Sequence, residues 1–305
     1  TIPSVWKDTL YEFVSEAVIP QPLAEVEYSC IDNDLDRWIY IASSGVLYYD
    51  KQKNSYAKKE QLNNLYRRDP RLEGLATTHL QRNNIAHVDS QTFRPGSEFI
   101  FEEKGSRYLN KYRDPRFEKI TSNVEYDISI WRNHLKILAN QDETNLKTLE
   151  DIIASDLKHP EQNRTFAVIL NSSQGVGKTV FFNGLQILYG KSNCSDLNMK
   201  QLTGQYQPHM LDSCYLFVNE IDSSGIDDKG RRANLKTIIS DEHHTVELKG
   251  VDLMKVNCHY TVWGATNETI PLYMAKGERR TFYLEVEATK QQIESDNPNY
   301  FKEFT

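Results

Sequence analysis

The stretch Asn171–Phe182, NSSQGVGKTVFF, decides how the rest of the chain is read. Gly175 and Gly177 flank a single residue and are followed at once by Lys178 and Thr179. Glycines so spaced permit backbone angles and close approaches that a Cβ would obstruct, so successive N–H groups can point at phosphate oxygens at the positive end of a helix. A lysine at this point reaches the β- and γ-phosphates of a nucleoside triphosphate, and the hydroxyl after it helps hold Mg²⁺. In the GxxxxGK[ST] pattern the first glycine falls at Ser172, which is a departure, but the inner GxGKT, where phosphate contact is closest, is intact.

The flanks supply the context the pattern needs. TFAVILN, residues 165–171, is a short apolar run of the kind that forms a buried parallel strand, and Val180, Phe181, Leu185 and Leu188 keep helical spacing up to Gly190. Strand, loop and helix therefore follow in order, and the loop predicts binding of ATP with Mg²⁺ through Ser173, Gln174, Gly175, Val176, Gly177, Lys178 and Thr179. The competing reading, a glycine-rich turn before an ordinary helix, leaves that order unexplained.

Downstream text separates the phosphate-binding classes. CYLFVNEID, residues 214–222, is an apolar strand ending in acids, which predicts Asn219 on the metal side and Glu220 as the group that activates water. An amide binds Mg²⁺ less well than a carboxylate, so Asp222 is a second candidate ligand. TVWGATN, residues 261–267, is a further strand ending at Asn267, suited to orient water or touch the γ-phosphate. Arg279 and Arg280 stand in KGERRTFYLEV just before another strand. A guanidinium delivered to a neighbouring subunit's phosphate accelerates cleavage by about 10³- to 10⁵-fold where such fingers operate, whereas two solvated arginines do nothing comparable.

This series, GxGKT, an apolar strand with NE, LKTIISDEHHTVELKG, a strand with Asn267, then ERR, resembles the superfamily 3 helicases of the AAA+ class. It looks closest to the helicase part of phage- and poxvirus-type primase–helicases, in which a phrase like YLNKYRDP (108–115) also tends to precede a helical section. The resemblance covers about residues 107–286 and implies a hexameric ring with ATP bound between subunits and Glu220, Asn267 and Arg279 or Arg280 taking part in hydrolysis. It further implies a hairpin that grips single-stranded DNA in the channel. The matching text is HTVELKGVDLMKV, which predicts Lys249 near a tip made by Gly250, with His244 a weaker nucleic-acid contact. His243, His244 and His259 lack metal-ligand spacing.

Working further outward, Trp131, Leu135 and Leu138, then Leu146, Leu149, Ile153 and Leu157, predict two helices before the core. Near the start, Ser4 can cap a helix presenting Trp6, Leu10, Phe13 and Val14. RWIYI and VLYYD, joined by ASSG, read as a hairpin, while residues 92–115 keep no period for long. The expected organisation is an α/β P-loop AAA+ ATPase core at 161–290, preceded by a helical collar at 116–160 and an α+β accessory region at 1–115, with a tail at 291–305.

Composition sets outer limits. The 36 basic and 43 acidic residues of this 305-residue chain give a net charge of −7, which argues against coating nucleic acid over the whole surface but leaves room for a basic channel. Four separated cysteines form no CxxC pair, so neither a zinc knuckle nor a disulfide framework is indicated. No apolar run approaches the roughly 20 residues that span a bilayer, so no membrane partner is expected and host cytoplasm is the expected location. The reading is an ATP-dependent ring helicase of a virus, phage or mobile element, with single-stranded DNA, further copies of itself and a fused or separate primase as partners. Three rivals are a nucleotide-switched assembly or loading ATPase that unwinds nothing, an RNA helicase and, least supported, a small-molecule kinase.

Overall fold

The computed structural model describes residues 31–44, 47–69, 72, 74–115, 128–204, 208–221, 236–239, 241, 243–248, 251–257, 259–267 and 280–303. The expected helix near Ser4, along with Asp222, Lys249, Gly250 and Arg279, lies outside these residues. The chain divides into two compact units, one within 20–111 and the other taking in 112–305.

In the first unit the expected hairpin forms. Strands β1 (Trp38–Ile41) and β2 (Leu47–Asp50) pair antiparallel, with Trp38 opposite Asp50 and Ile41 opposite Leu47. Their text is apolar throughout because both faces are covered: successive side chains point to opposite sides, Trp38 and Tyr48 into one cluster with Leu62, Tyr66 and Leu80, and Ile39, Ile41 and Tyr49 into another with Val88 and Leu109. Strand β3 (Ser55–Lys58), helices α1 (Lys59–Leu65) and α2 (Ala76–Arg82), and β4 (Ala86–Val88), which runs parallel to β1, complete the four-stranded sheet β3-β2-β1-β4 and its helical cover. A buried Arg37 makes a two-pronged bond to Asp50 at 2.8 and 2.7 Å and also reaches Asp34 at 3.2 Å. Where sequence periodicity failed, the structure has three short strands, β5 (Ser90–Thr92), β6 (Ile100–Glu103) and β7 (Ser106–Asn110), in the order β5-β7-β6.

The second unit begins with the two expected helices, α3 (Ser129–Leu138) and α4 (Glu143–Lys158), the latter capped by Asp142, whose carboxylate accepts from the Asn145 N–H at 2.7 Å. Then follow β8 (Ala167–Ser172), α5 (Lys178–Tyr189), β9 (Cys194–Leu197), the short α6 (Met199–Leu202) and β10 (Tyr215–Val218). Strands β11 (His243–Leu248) and β12 (Val251–Asn257) form an antiparallel hairpin; β13 (Thr261–Thr266), β14 (Thr281–Val286), α7 (Lys290–Asp296) and α8 (Tyr300–Glu303) end the unit.

Five strands make one all-parallel sheet in the order β14-β8-β13-β10-β9. Every residue of β8, β10 and β13 is buried, which is why AVILNS, YLFV and TVWGAT show no polar alternation. Trp131 of α3 stacks on Phe181 of α5 at 5.4 Å between ring centroids, and Phe181 meets Trp263 of β13 edge-on, fixing α3 and α5 to the sheet. Among the described residues no helix is long and apolar enough to cross a membrane.

Candidate active site

The strand order brings three carboxyl ends to one edge, where ligands of open α/β sheets sit. From β8 the chain enters the loop 173–177, and from the neighbouring β13 it reaches Asn267. From β10, next along, it reaches Asn219 and Glu220. Residues distant in sequence therefore meet because β13 is inserted between β8 and β10.

The loop is built by its glycines and one buried anchor. Val176 is buried, whereas Ser173, Gln174, Gly175 and Thr179 are exposed. Gly175 and Gly177 have φ of 86° and 98°, in the left-handed region that side chains avoid, and Gly177 caps α5. A Cβ on Gly177 would lie 2.6 Å from His134 Cε1 and 2.8 Å from Phe301 Cε1. This turn leaves backbone N–H groups free of a Cβ shield at the positive end of a twelve-residue helix, a cradle suited to an anion.

Lys178 crosses this cradle. Its Nζ donates to the Ser172 carbonyl at 3.0 Å, to Ser172 Oγ at 2.5 Å and to Asn267 Oδ1 at 2.6 Å. Partial burial lowers its pKa to about 8, which leaves it largely cationic at neutral pH. The structure thus brings Lys178 and Asn267, which are 89 positions apart, into direct contact.

Asn219 and Glu220 are exposed at the same edge. The backbone of Ile221 is tied to β13, its N–H donating to the Ala265 carbonyl at 2.8 Å and its carbonyl accepting from Thr266 Oγ1 at 2.8 Å, so the segment carrying Glu220 is anchored. Asp196, at the end of β9, lies beside Asn219, whose Nδ2 is 3.4 Å from Asp196 Oδ1; it brings a carboxylate to a position the motif had filled with an amide. Thr179, Asn219 and Asp196 offer oxygen donors of the hard type Mg²⁺ takes, and that ion keeps several waters when phosphate shares its shell. Among the described residues no group of three His, Cys, Asp or Glu side chains is placed to hold a metal ion by itself. His259 bonds the Glu161 carbonyl at 2.8 Å.

His134 is the site residue that sequence reasoning passed over. It is fully buried, with Nε2 3.2 Å from the Gly177 carbonyl and Nδ1 3.2 Å from the Tyr300 hydroxyl. A carbonyl only accepts, so Nε2 carries the proton, and Nδ1 accepts from Tyr300, whose hydroxyl burial pushes up to about 12. Burial lowers the imidazole to about 4. The C-terminal residues, expected as a tail, include α7 and α8; Lys290 and Phe301 approach the phosphate loop, and Tyr300 reaches His134. The only available sequence signal was the placement of Tyr300 and Phe301 after a capped helix, TKQQIESD, which says nothing of where that helix docks.

Two further sets lie away from this edge. Arg280 precedes β14, whose first residue pairs with Ala167, and the Arg280 carbonyl accepts from the Ala167 N–H at 2.9 Å. It therefore sits at the opposite end of β8 from the loop. His244 is in β11, and the hairpin strands end at Leu248 and resume at Val251, on either side of Lys249 and Gly250.

A five-stranded parallel sheet whose second strand feeds a glycine loop and helix, with Lys178 at the helix start, is an α/β fold with the arrangement of a phosphate-loop core. Residues 170–280 match a family of unknown function, DUF5906. The chain is similar to a DNA primase-polymerase of Nitratiruptor phage NrS-1, 23% identical over 196 residues that make up 63% of this chain and 27% of that protein. The chain thus spans about a quarter of the length of that curated relative. Solved structures of the NrS-1 C-terminal region share the fold: one, residues 305–718 without ligand, aligns with a TM-score of 0.68 at 18% identity over 92% of this chain and 67% of that one. The A form apo structure of the same region aligns at 0.64 and 19% identity over 88% and 62%. The resemblance to phage primase-linked proteins drawn from the motifs is borne out by these matches.

Proposed function

We propose that this chain is an ATP-hydrolysing, ring-forming motor that moves along single-stranded DNA during replication of a phage or similar element. The observation that carries the reading is the 2.6 Å bond between Lys178 and Asn267 at the edge that also bears Glu220. A cation for the transferred phosphate and an amide for the attacking water would then stand together, with Glu220 as the base. Gly175, Gly177 and the first turn of α5 would hold the phosphates with Ser173, Gln174 and Val176. Thr179, with Asn219 and Asp222 as weaker contributors, would hold Mg²⁺, which supplies charge neutralisation. Arg279 or Arg280 would act on the nucleotide of the adjacent subunit, in keeping with the position of Arg280 at the far end of β8. The β11–β12 hairpin would carry Lys249 into a central channel, aided by Gly250 and His244. Similarity to a DNA primase-polymerase favours DNA over RNA as the track and a primase as a fused or separate partner.

The test is ATP turnover with and without single-stranded DNA, together with native mass in the presence of nucleotide. Lys178→Ala is expected to abolish turnover in both conditions. Lys249→Ala is expected to keep basal turnover but lose both stimulation by DNA and strand movement. A protein that stays a single copy at saturating ATP, or a Lys249→Ala variant that translocates normally, would contradict the proposal.

A further inference from the structure

Ser172 occupies the position at which the phosphate-loop pattern has its first glycine, and it is not an inert replacement. It ends β8 opposite Val286 of β14 and is buried, with 6% of its surface exposed. Its hydroxyl donates to the Ser173 carbonyl at 2.9 Å, which turns a lone pair toward the Lys178 ammonium at 2.5 Å. An ammonium has three N–H donors. Here the three shortest contacts are the Ser172 hydroxyl, the Ser172 carbonyl and Asn267 Oδ1, so residue 172 supplies two of them, one of which glycine could not make.

A lysine side chain gives up much rotamer freedom when fixed, and a free ammonium samples positions that do nothing for phosphate transfer. The Ser172 hydroxyl restricts it from the β8 side, while Asn267 holds it from β13. Of the two, Asn267 is exposed and can yield to an incoming phosphate oxygen, and Ser172 stays buried behind the cation. We infer that Ser172 is a positioning residue that aims Lys178 at the transferred phosphate, so that in this chain a serine hydroxyl is part of the hydrolytic machinery where glycine is usual. The inference rests on the nucleotide-hydrolysing reading above.

Four proteins test it: wild type, Ser172→Gly, Ser172→Ala and Ser172→Thr. ADP affinity is read by calorimetry and ATP turnover in the steady state. Glycine and alanine are both small enough for the buried position, and each is expected to lower kcat by about tenfold, the scale of one charge-assisted hydrogen bond. ADP affinity should change less than about threefold, because the loop N–H groups are untouched. Threonine keeps the hydroxyl and is expected to recover most of kcat. Wild-type turnover in the glycine variant overturns the inference, as does a folded threonine variant that recovers nothing. Equal losses of ADP affinity and kcat also overturn it, since they indicate damage to the loop as a whole. Absence of ADP binding and ATP turnover in the wild type is a different failure and would bring down the nucleotide reading itself.

Discussion

A buried imidazole resists protonation because burial withholds the water that would solvate its cation. His134 is in that position, and burial lowers its pKa from 6.5 to about 4. A group depressed in the folded state contributes stability that is complete above its unfolded pKa and is lost as pH falls toward the folded one. The window is therefore pH 6.5 down to about 4, and the full loss is about 3 kcal/mol. Melting temperature should fall more steeply between pH 7 and 5 in wild type than in His134→Gln, which does not titrate there. Parallel slopes for the two would remove the argument. The sequence did not disclose this residue because His134 lies on the same helical face as Trp131, Leu135 and Leu138, where it reads as core. Its bond to Gly177, 43 positions on, is a tertiary fact. The GxGKT text, by contrast, was legible because one loop must perform all its chemistry within a few residues.

At the scale of elements, legibility followed length and burial. The apolar runs of β8, β10 and β13 and the periodic faces of α3 and α4 announced themselves because sheet and helix burial impose uniform patterns over four or more residues. Strands β5 and β6 have three and four residues and none is fully buried, so no pattern had room to repeat. What binds the core elements is also hidden from periodicity. Asp156, in the last turn of α4, accepts from Arg164 Nε at 2.9 Å, Thr261 Oγ1 at 3.1 Å and Tyr189 OH at 3.2 Å, and its carbonyl accepts from Tyr215 OH at 2.9 Å. The carboxylate joins α4 to the end of α5 and the start of β13, and the main-chain carbonyl of the same residue holds the start of β10. Burial raises its pKa against the pull of Arg164, yet removing one partner of such a pair strands the other. Asp156→Ala should cost about 3 kcal/mol, seen as faster amide exchange at the end of α5 and in β13, whose bonds to the carboxylate are lost. Asp156→Asn, which keeps an acceptor, should cost less. Unchanged exchange in the alanine variant would show that packing alone holds these elements.

For the molecule as a whole, the sheet's direction has a consequence for assembly. Arg280 abuts Ala167 at the amino end of β8, and the phosphate loop follows Ser172 at the carboxyl end, roughly 17 Å away along the strand. An arginine there would serve hydrolysis at the loop of another copy, as a head-to-tail ring allows and a self-contained site does not. Mixing two inactive proteins distinguishes these cases. Lys178→Ala lacks a working loop but has both arginines, and a variant with Arg279→Ala and Arg280→Ala has the loop without the finger. Random mixing in equal amounts creates up to about a quarter of interfaces with an intact loop on one side and intact arginines on the other, because heterologous interfaces draw their two halves from different subunits. Turnover should therefore reappear in the mixture at a protein concentration where each variant alone is silent, and it should disappear on dilution below assembly. If the mixture stays silent at the mass of the wild-type assembly, the arginines do not complete a neighbour's site and the geometry at the far end of β8 needs another explanation.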